Sequence, residues 1–283
     1  GPYLEGGGSF TPQMHELTDA DDARATVDYW IGEGATSFKA YMHITRAELS
    51  AAIAAAHAKG IKVTGHLCSI GFTEAADLGI DNLEHGLLVD TEFTAGKQPE
   101  ECPDNKAASG YLATLSVDSP PIRALIRHLV VKQVAVTSTL PVFETFVPGR
   151  APIDPRVLDA MLPQTRTEYL ATRERIAGQK DSLWPKLFQL EMAFEHAFVE
   201  AGGTLLAGLD PTGFGGVIAG YGDQRGVELL VEAGFTPLQA IQIATLYGAR
   251  FMGEEKTIGS IAPGKAADLV LIDGNPVANI HDI

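Results

Sequence analysis

Short apolar runs alternate along this chain with segments whose apolar residues recur at helical spacing. The stretch "ATSFKAY" (35–41) has the length and residue types of a strand. It is followed by Thr45-Arg46-Ala47-Glu48, where a hydroxyl and a carboxylate three residues apart can satisfy the free amides of a helix start. The helix so predicted continues through "LSAAIAAAHAK" and stops at Gly60. A second strand, "IKVTGH", a helix through "TEAADLG" and a third strand, "IDNLEHG", come next. Such strand–helix alternation predicts a parallel sheet with helices laid against it.

The later chain repeats the theme with longer excursions. A polar loop is expected over "TEFTAGKQPEECPDNKAASG", then a helix over "PPIRALIRHLVVK" and a strand over "VAVTSTLPVF". Residues 155–201 read as mostly helical, an insertion of the size that covers a substrate site. "GTLLAGLD" is a strand that ends in aspartate. Thr236-Pro237-Leu238-Gln239 opens another helix, with Leu238, Ile241, Leu246 and Tyr247 as its expected core face and Gly253 as its end. Beyond that point the texture changes. Turns at Pro263-Gly264 and Gly274-Asn275-Pro276 flank "ADLVLID", which predicts a small β module over 256–283 beside a main domain over 1–255.

Composition narrows the function classes. Lys and Arg number 21 against 36 Asp and Glu, a net charge of −15, which supplies no basic stripe for nucleic acid and repels anionic lipid. No apolar run approaches the ~18 residues of a membrane span, and the opening "GPYLEGGGSF" lacks the charged-then-apolar pattern of a leader. Cys68 and Cys102 lack the paired spacing of a thiolate zinc site and are read as free thiols.

The candidate chemistry sits at the C-terminal ends of the strands: Lys39, His66, His85, Thr137 or Ser138, and Asp210. In a parallel α/β barrel these ends share one face, so side chains from successive strands converge. Two imidazoles and a carboxylate suit a zinc-like cation. Each residue also has a plainer reading. A histidine after a strand is commonly a hydrogen-bonded structural group, Asp210 alone fits a loop cap, and Lys39 alone fits a side chain that extends to solvent or pairs with a carboxylate. His43, His57, His128 and His196 are read as structural or surface residues, with His43 the least secure because it follows Lys39 closely.

Taken in order, "FKAY", "VTGHLCSIGFTEAADLGIDNLEHG", "LLAGLD", "ELLVEAGFTPLQAIQIATLYGARFMG" and "GSIAPGKAADLVLIDGNPVANI" resemble the amidohydrolase superfamily, in its carboxylated-lysine, imidazolonepropionase-like and Xaa-Pro dipeptidase-like branch. The resemblance covers nearly the whole chain. It implies a (β/α)8 TIM-type barrel, present here from about its fourth strand to its eighth, with a segment of a small β-sandwich at the C-terminus. It implies that Lys39 is a carbamylated lysine bridging two divalent metals, with zinc expected. His66 and His85 then hold the second metal, while Asp210 holds the first and shuttles the proton of a metal-bridging hydroxide. His66 follows Lys39 by 27 residues and His85 follows His66 by 19, each about one strand–helix–strand step. The chemistry agrees, because an ammonium cannot ligate a cation whereas a carbamate offers two anionic oxygens. The reaction implied is hydrolysis of an amide or related C–N bond in a small molecule such as a dipeptide, an N-acyl amino acid or a cyclic amide. Tyr41, His43 and Arg225 are candidate substrate contacts, Arg225 as a bidentate carboxylate anchor or, equally, a surface arginine at a helix start. The reading is compatible with a homo-oligomer.

The family's first strand carries His-x-His, and this chain contains none. The expectation is therefore a chain trimmed at both ends that holds part of the barrel and part of the metal site. Two classes stay open: a binuclear amidohydrolase represented by this stretch, or a non-catalytic barrel that binds a ligand or partner. Within the superfamily, deamination is the less favoured reaction.

Overall fold

The structure is a computed structural model that describes residues 1–9, 12–150 and 154–283. Among the described residues, six strands form one sheet in the order β1-β2-β3-β4-β5-β6, the sequential order of a (β/α)8-type barrel in part. The chain divides into two compact units, Gly1–Val136 with Phe198–Thr204, and Thr137–Ala197 with Leu205–Ile283.

The first unit begins with β1 (Tyr3–Leu4) and α1 (Ala20–Gly32), whose N-cap Asp19 accepts from the amides of Asp21 and Asp22. Then come β2 (Ser37–Ala40), α2 (Arg46–His57), β3 (Lys62–Gly65), α3 (Phe72–Leu78) and β4 (Asn82–Glu84). The Thr45–Glu48 capping box at the start of α2 is formed as expected. β1, β2, β3 and β4 pair in parallel, with Tyr3 opposite Lys39, Lys39 opposite Thr64 and Thr64 opposite Asn82. Because side chains alternate along a strand, this register sorts the sheet into two faces. Phe38, Ala40, Val63 and Leu83 share one face and are fully buried. Tyr3, Lys39, Thr64, Asn82 and Glu84 share the other, so the polar residues are gathered by register.

Two expectations fail in this unit. The polar stretch 91–110 contains a helix, α4 (Asn105–Leu112), which Asp104 caps by accepting from Ala107 N at 3.0 Å. The cysteines are not free thiols: Cys68 and Cys102 are joined in a disulfide with Cα atoms 5.1 Å apart, a closeness that sequence separation could not reveal. The unit is completed by α5 (Pro120–Lys132) and the start of β5 (Ala135–Ser138).

In the second unit the chain turns straight from β5 into α6 (Leu140–Glu144), so the predicted strand through Phe143 ends early. Pro141 explains this, since it has no amide for a ladder and suits the first turn of a helix. The 155–201 stretch forms α7 (Pro155–Asp159), α8 (Pro163–Ala177) and α9 (Trp184–Glu200). It is not all cover, because Leu187, Phe188, Leu190, Met192 and Phe194 of α9 are buried. β6 (Leu205–Ala207) and α10 (Tyr221–Glu232) follow, then α11 (Pro237–Gln242), a π-helical turn (Ile243–Tyr247) and α12 (Gly248–Phe251). The Thr236–Gln239 capping box is present, but the buried residues are Ala240, Ile243 and Ala249, while Leu238 is exposed. The π turn changes the helical register, so a uniform 3.6-residue period mis-assigns the face.

"ADLVLID" forms no strand. Leu269, Val270 and Leu271 are 64%, 87% and 100% exposed. Alternating apolar residues make a strand only where a partner completes the ladder, and no strand pairs with these among the described residues.

Candidate active site

The polar face of β2–β4 brings three of the predicted residues together. Lys39 Nζ forms an ion pair with Glu84 Oε2 and lies 5.6 Å and 5.8 Å from the ring centroids of Tyr3 and Tyr41. The Thr64 hydroxyl is 2.7 Å from Asn82 Oδ1 and 3.0 Å from Glu84 Oε1, so its single proton serves one of them at a time. Beyond β3, the His66 ring packs 5.1 Å from Tyr41 and 4.5 Å from His85, centroid to centroid. His85 Nε2 is 3.6 Å from Glu84 Oε2. Burial, reinforced by the Lys39 charge, holds the His85 imidazole down to about 3, so it is neutral and keeps a lone pair.

A strap over residues 90–102 braces the loops that carry these side chains. Thr91 Oγ1 donates to the Cys68 carbonyl (2.5 Å), Glu92 accepts from both the amide and the hydroxyl of Thr73 (2.8 Å each), and Lys97 Nζ donates to the Ser69 carbonyl (2.5 Å). Glu100 accepts from Arg46 N at 2.6 Å, and Cys102 closes the strap covalently on Cys68. The fit is close enough that a Cβ on Gly71 would lie 2.5 Å from Glu92 Cβ.

His43 lies beside a buried carboxylate, with Nδ1 3.6 Å from Glu5 Oε2. Asp210 belongs to the second unit, three residues past β6. Arg225 is in α10, not in the glycine-rich loop before it. Its guanidinium donates to Glu144 Oε1 at 2.7 Å and Oε2 at 2.9 Å, and to Glu228 at 2.7 Å, so its charge is already matched within its own unit.

Among the described residues, four other than glycine adopt positive φ: His85 (70°), Glu100 (59°), Gln133 (58°) and Asp210 (45°). Two of the four are predicted metal ligands. Left-handed backbone at a side chain with a Cβ costs energy and collects at functional positions. As to a metal, two adjoining imidazoles, one of them buried and neutral, fit a zinc-class cation. Lys39 as an ion-paired ammonium does not, and needs its charge reversed to join them. Among the described residues no three His, Cys, Asp or Glu side chains converge in the geometry of a metal centre.

Sequence reasoning missed Glu84 and Glu5. Glu84 was legible, because it stands next to His85 and, two residues from Asn82, shares its face. Glu5 lies in a glycine-rich stretch without a period and gave no signal.

The amidohydrolase family model matches residues 206–283. Curated relatives match over short segments: adenine deaminase 2 of Jannaschia sp. (strain CCS1) is 42% identical over 57 residues, 20% of this chain and 9% of the relative. The 5-methylthioadenosine/S-adenosylhomocysteine deaminase of Symbiobacterium thermophilum is 51% identical over 39 residues, 14% of this chain and 9% of the relative. Similar solved structures include bottromycin amidohydrolase, with a TM-score of 0.67 and 22% identity over 90% of this chain and 55% of that one. A Xaa-Pro dipeptidase with bound methionine in its active site gives 0.60 and 20% over 94% and 56%, and a putative prolidase from Bifidobacterium longum 0.62 and 20% over 99% and 60%. The chain therefore spans a little over half the length of these solved relatives, and at such identities they establish the fold. The family model supports the amidohydrolase resemblance over residues 206–283, and the solved structures support the fold.

Proposed function

We propose that this protein is a metal-dependent amidohydrolase that cleaves an amide or related C–N bond of a small molecule, such as a dipeptide, an N-acyl amino acid or a cyclic amide. The observation that carries this reading is the cluster at the ends of consecutive parallel strands, where the neutral His85 ring adjoins His66 and Lys39 lies on the same polar face. His66 and His85 would hold a zinc-class cation. The sequence resemblance would give the remaining ligand roles to Lys39, as a carbamate, and to Asp210 of the second unit. Carbamylation of the ammonium joins Nζ to the carbon of carbon dioxide and releases two protons, one to free the amine and one as the C–N bond forms; Glu84 is the adjacent base for the first. A bound divalent metal would polarise the substrate carbonyl and lower the pKa of water. Asp210 would accept the proton from the attacking water and return it to the departing amine, which cannot leave as an anion. Tyr41 and His43 would contact substrate; Arg225 can do so only by exchanging its Glu144 and Glu228 partners. Deamination is a second reading, favoured by the deaminases among the curated relatives.

The test is elemental analysis of the full chain and its Lys39→Ala variant, with a panel of dipeptides, N-acyl amino acids and aminopurines. Loss of metal and at least a ~100-fold fall in rate are expected for the variant. A variant with unchanged metal and rate overturns the lysine assignment. Ammonia released from an aminopurine, with the amides left intact, selects deamination.

A further inference from the structure

One buried acid in the first unit has no part in the chemistry above. Glu5, the residue after β1, is fully buried. Its Oε1 accepts from the amides of Gly6 (3.0 Å) and His43 (2.7 Å), and its carbonyl accepts from Leu17 N (2.8 Å), so the carboxylate is fixed. The packing is tight enough that a Cβ on Gly6 would lie 2.1 Å from the His43 carbonyl oxygen. Among the described residues, Glu5 Oε2 has no hydrogen-bond partner, and neither does the buried Nδ1 of His43. The two atoms face each other at 3.6 Å, a few tenths of an ångström beyond hydrogen-bond range, which a small rotation of the ring closes. A carboxylate oxygen kept from water is costly without a donor, and the imidazole nitrogen is the donor that faces it.

We propose that Glu5 is a positioning residue that holds His43 in its Nδ1–H tautomer, so that the lone pair sits on Nε2. His43 thereby offers an acceptor, which selects substrates that carry an N–H or ammonium group. The side chain is 29% exposed while Nδ1 is buried, so the accessible part of the ring lies away from Glu5. The tautomer stands on the Glu5–His43 geometry alone; the substrate preference rests on the amidohydrolase reading of this strand end.

The experiment is a long-range 1H–15N correlation on the full chain with 15N-labelled histidine, near pH 8 where an imidazole is neutral, with His43→Asn to assign the signals. The expected pattern is a protonated Nδ1 and a bare Nε2 for His43. In Glu5→Gln the carboxamide oxygen keeps both backbone bonds while its N–H₂ points at Nδ1, so the pattern should invert to Nε2–H. A merely structural Glu5 would leave the tautomer unmoved. An Nε2–H ring in the unaltered protein, or no inversion in the variant, overturns the positioning role. For a hydrolysed substrate, Glu5→Gln should raise KM roughly 3- to 10-fold with kcat little changed, and should not do so for the N-methylated analogue. Inversion without that KM difference overturns the substrate preference alone. The spectrum needs no turnover, so it decides the tautomer even where the panel of amides finds no activity.

Discussion

Glu144 in the second unit and Glu5 in the first are both buried carboxylates, and they are treated in opposite ways. Glu144 receives four donated bonds from two guanidinium groups, at 3.2 and 2.9 Å from Arg150 and at 2.9 and 2.7 Å from Arg225. Every strong direction of its charge is answered, so it can only hold α6 and α10 in place. Glu5 has one oxygen satisfied by backbone and the other facing a single imidazole. Saturated charge marks scaffold. Bonding capacity left over at strand ends, as at Glu5–His43, marks where ligand chemistry remains to be done.

The largest test of this contrast is Glu144→Ala. Removing Glu144 takes four charged bonds from two partly buried guanidinium groups, leaving Glu232 for Arg150 and Glu228 for Arg225, and a loss of about 3–5 kcal/mol is expected in urea unfolding. A loss below about 1 kcal/mol would mean the network is ornamental and the contrast empty. Next comes the strap of the first unit. Cys102→Ser releases a loop closed across 34 residues and should lower stability by ~3 kcal/mol, with the same effect from a reductant on the unaltered protein. If reductant leaves the variant's melting temperature unchanged and lowers that of the parent by the same amount as the substitution, the covalent closure is the cause; if neither moves it, the hydrogen bonds of the strap suffice.

A pH-dependent effect concerns an acid of the second unit that the arginine network does not reach. Glu195 on α9 is fully buried, and burial pushes its carboxyl up to about 8. In the unfolded chain it titrates near 4.5. Between those values the folded form keeps a proton that the unfolded form has shed. This contribution to stability is therefore complete below about 4.5 and is lost as the pH rises through about 8. Glu195→Gln should flatten the fall in melting temperature across that window. A parent protein whose melting temperature is already flat there would show that Glu195 is ionised and matched like Glu144.

How far the sequence speaks depends on whether a feature is local. Both capping boxes, Thr45–Glu48 and Thr236–Gln239, formed where spacing placed them, because such a box closes within one turn. The strand ends that carry Lys39, His66 and His85 were legible for the same reason: short apolar runs fix where a strand stops. Features set by partners were not. Whether "ADLVLID" becomes a strand depends on a ladder the sequence does not supply, and the Cys68–Cys102 bond depends on how a distant loop returns. The first 34 residues carry no strong period, yet they provide β1, α1 and Glu5. Arg225 shows the remaining gap, since its residue type suits an anion and only the fold reveals that Glu144 already occupies it.

The backbone of His85 carries a consequence for how this site would change under selection. At φ 70°, and followed by Gly86 at 64°, its position suits glycine or asparagine better than histidine, by about 1 kcal/mol. A library screened for thermal resistance alone should therefore drift to Gly or Asn at this codon, while one screened for turnover should retain His. Divergence of the two lineages at residue 85 would separate what the chain needs to fold from what it keeps for its chemistry.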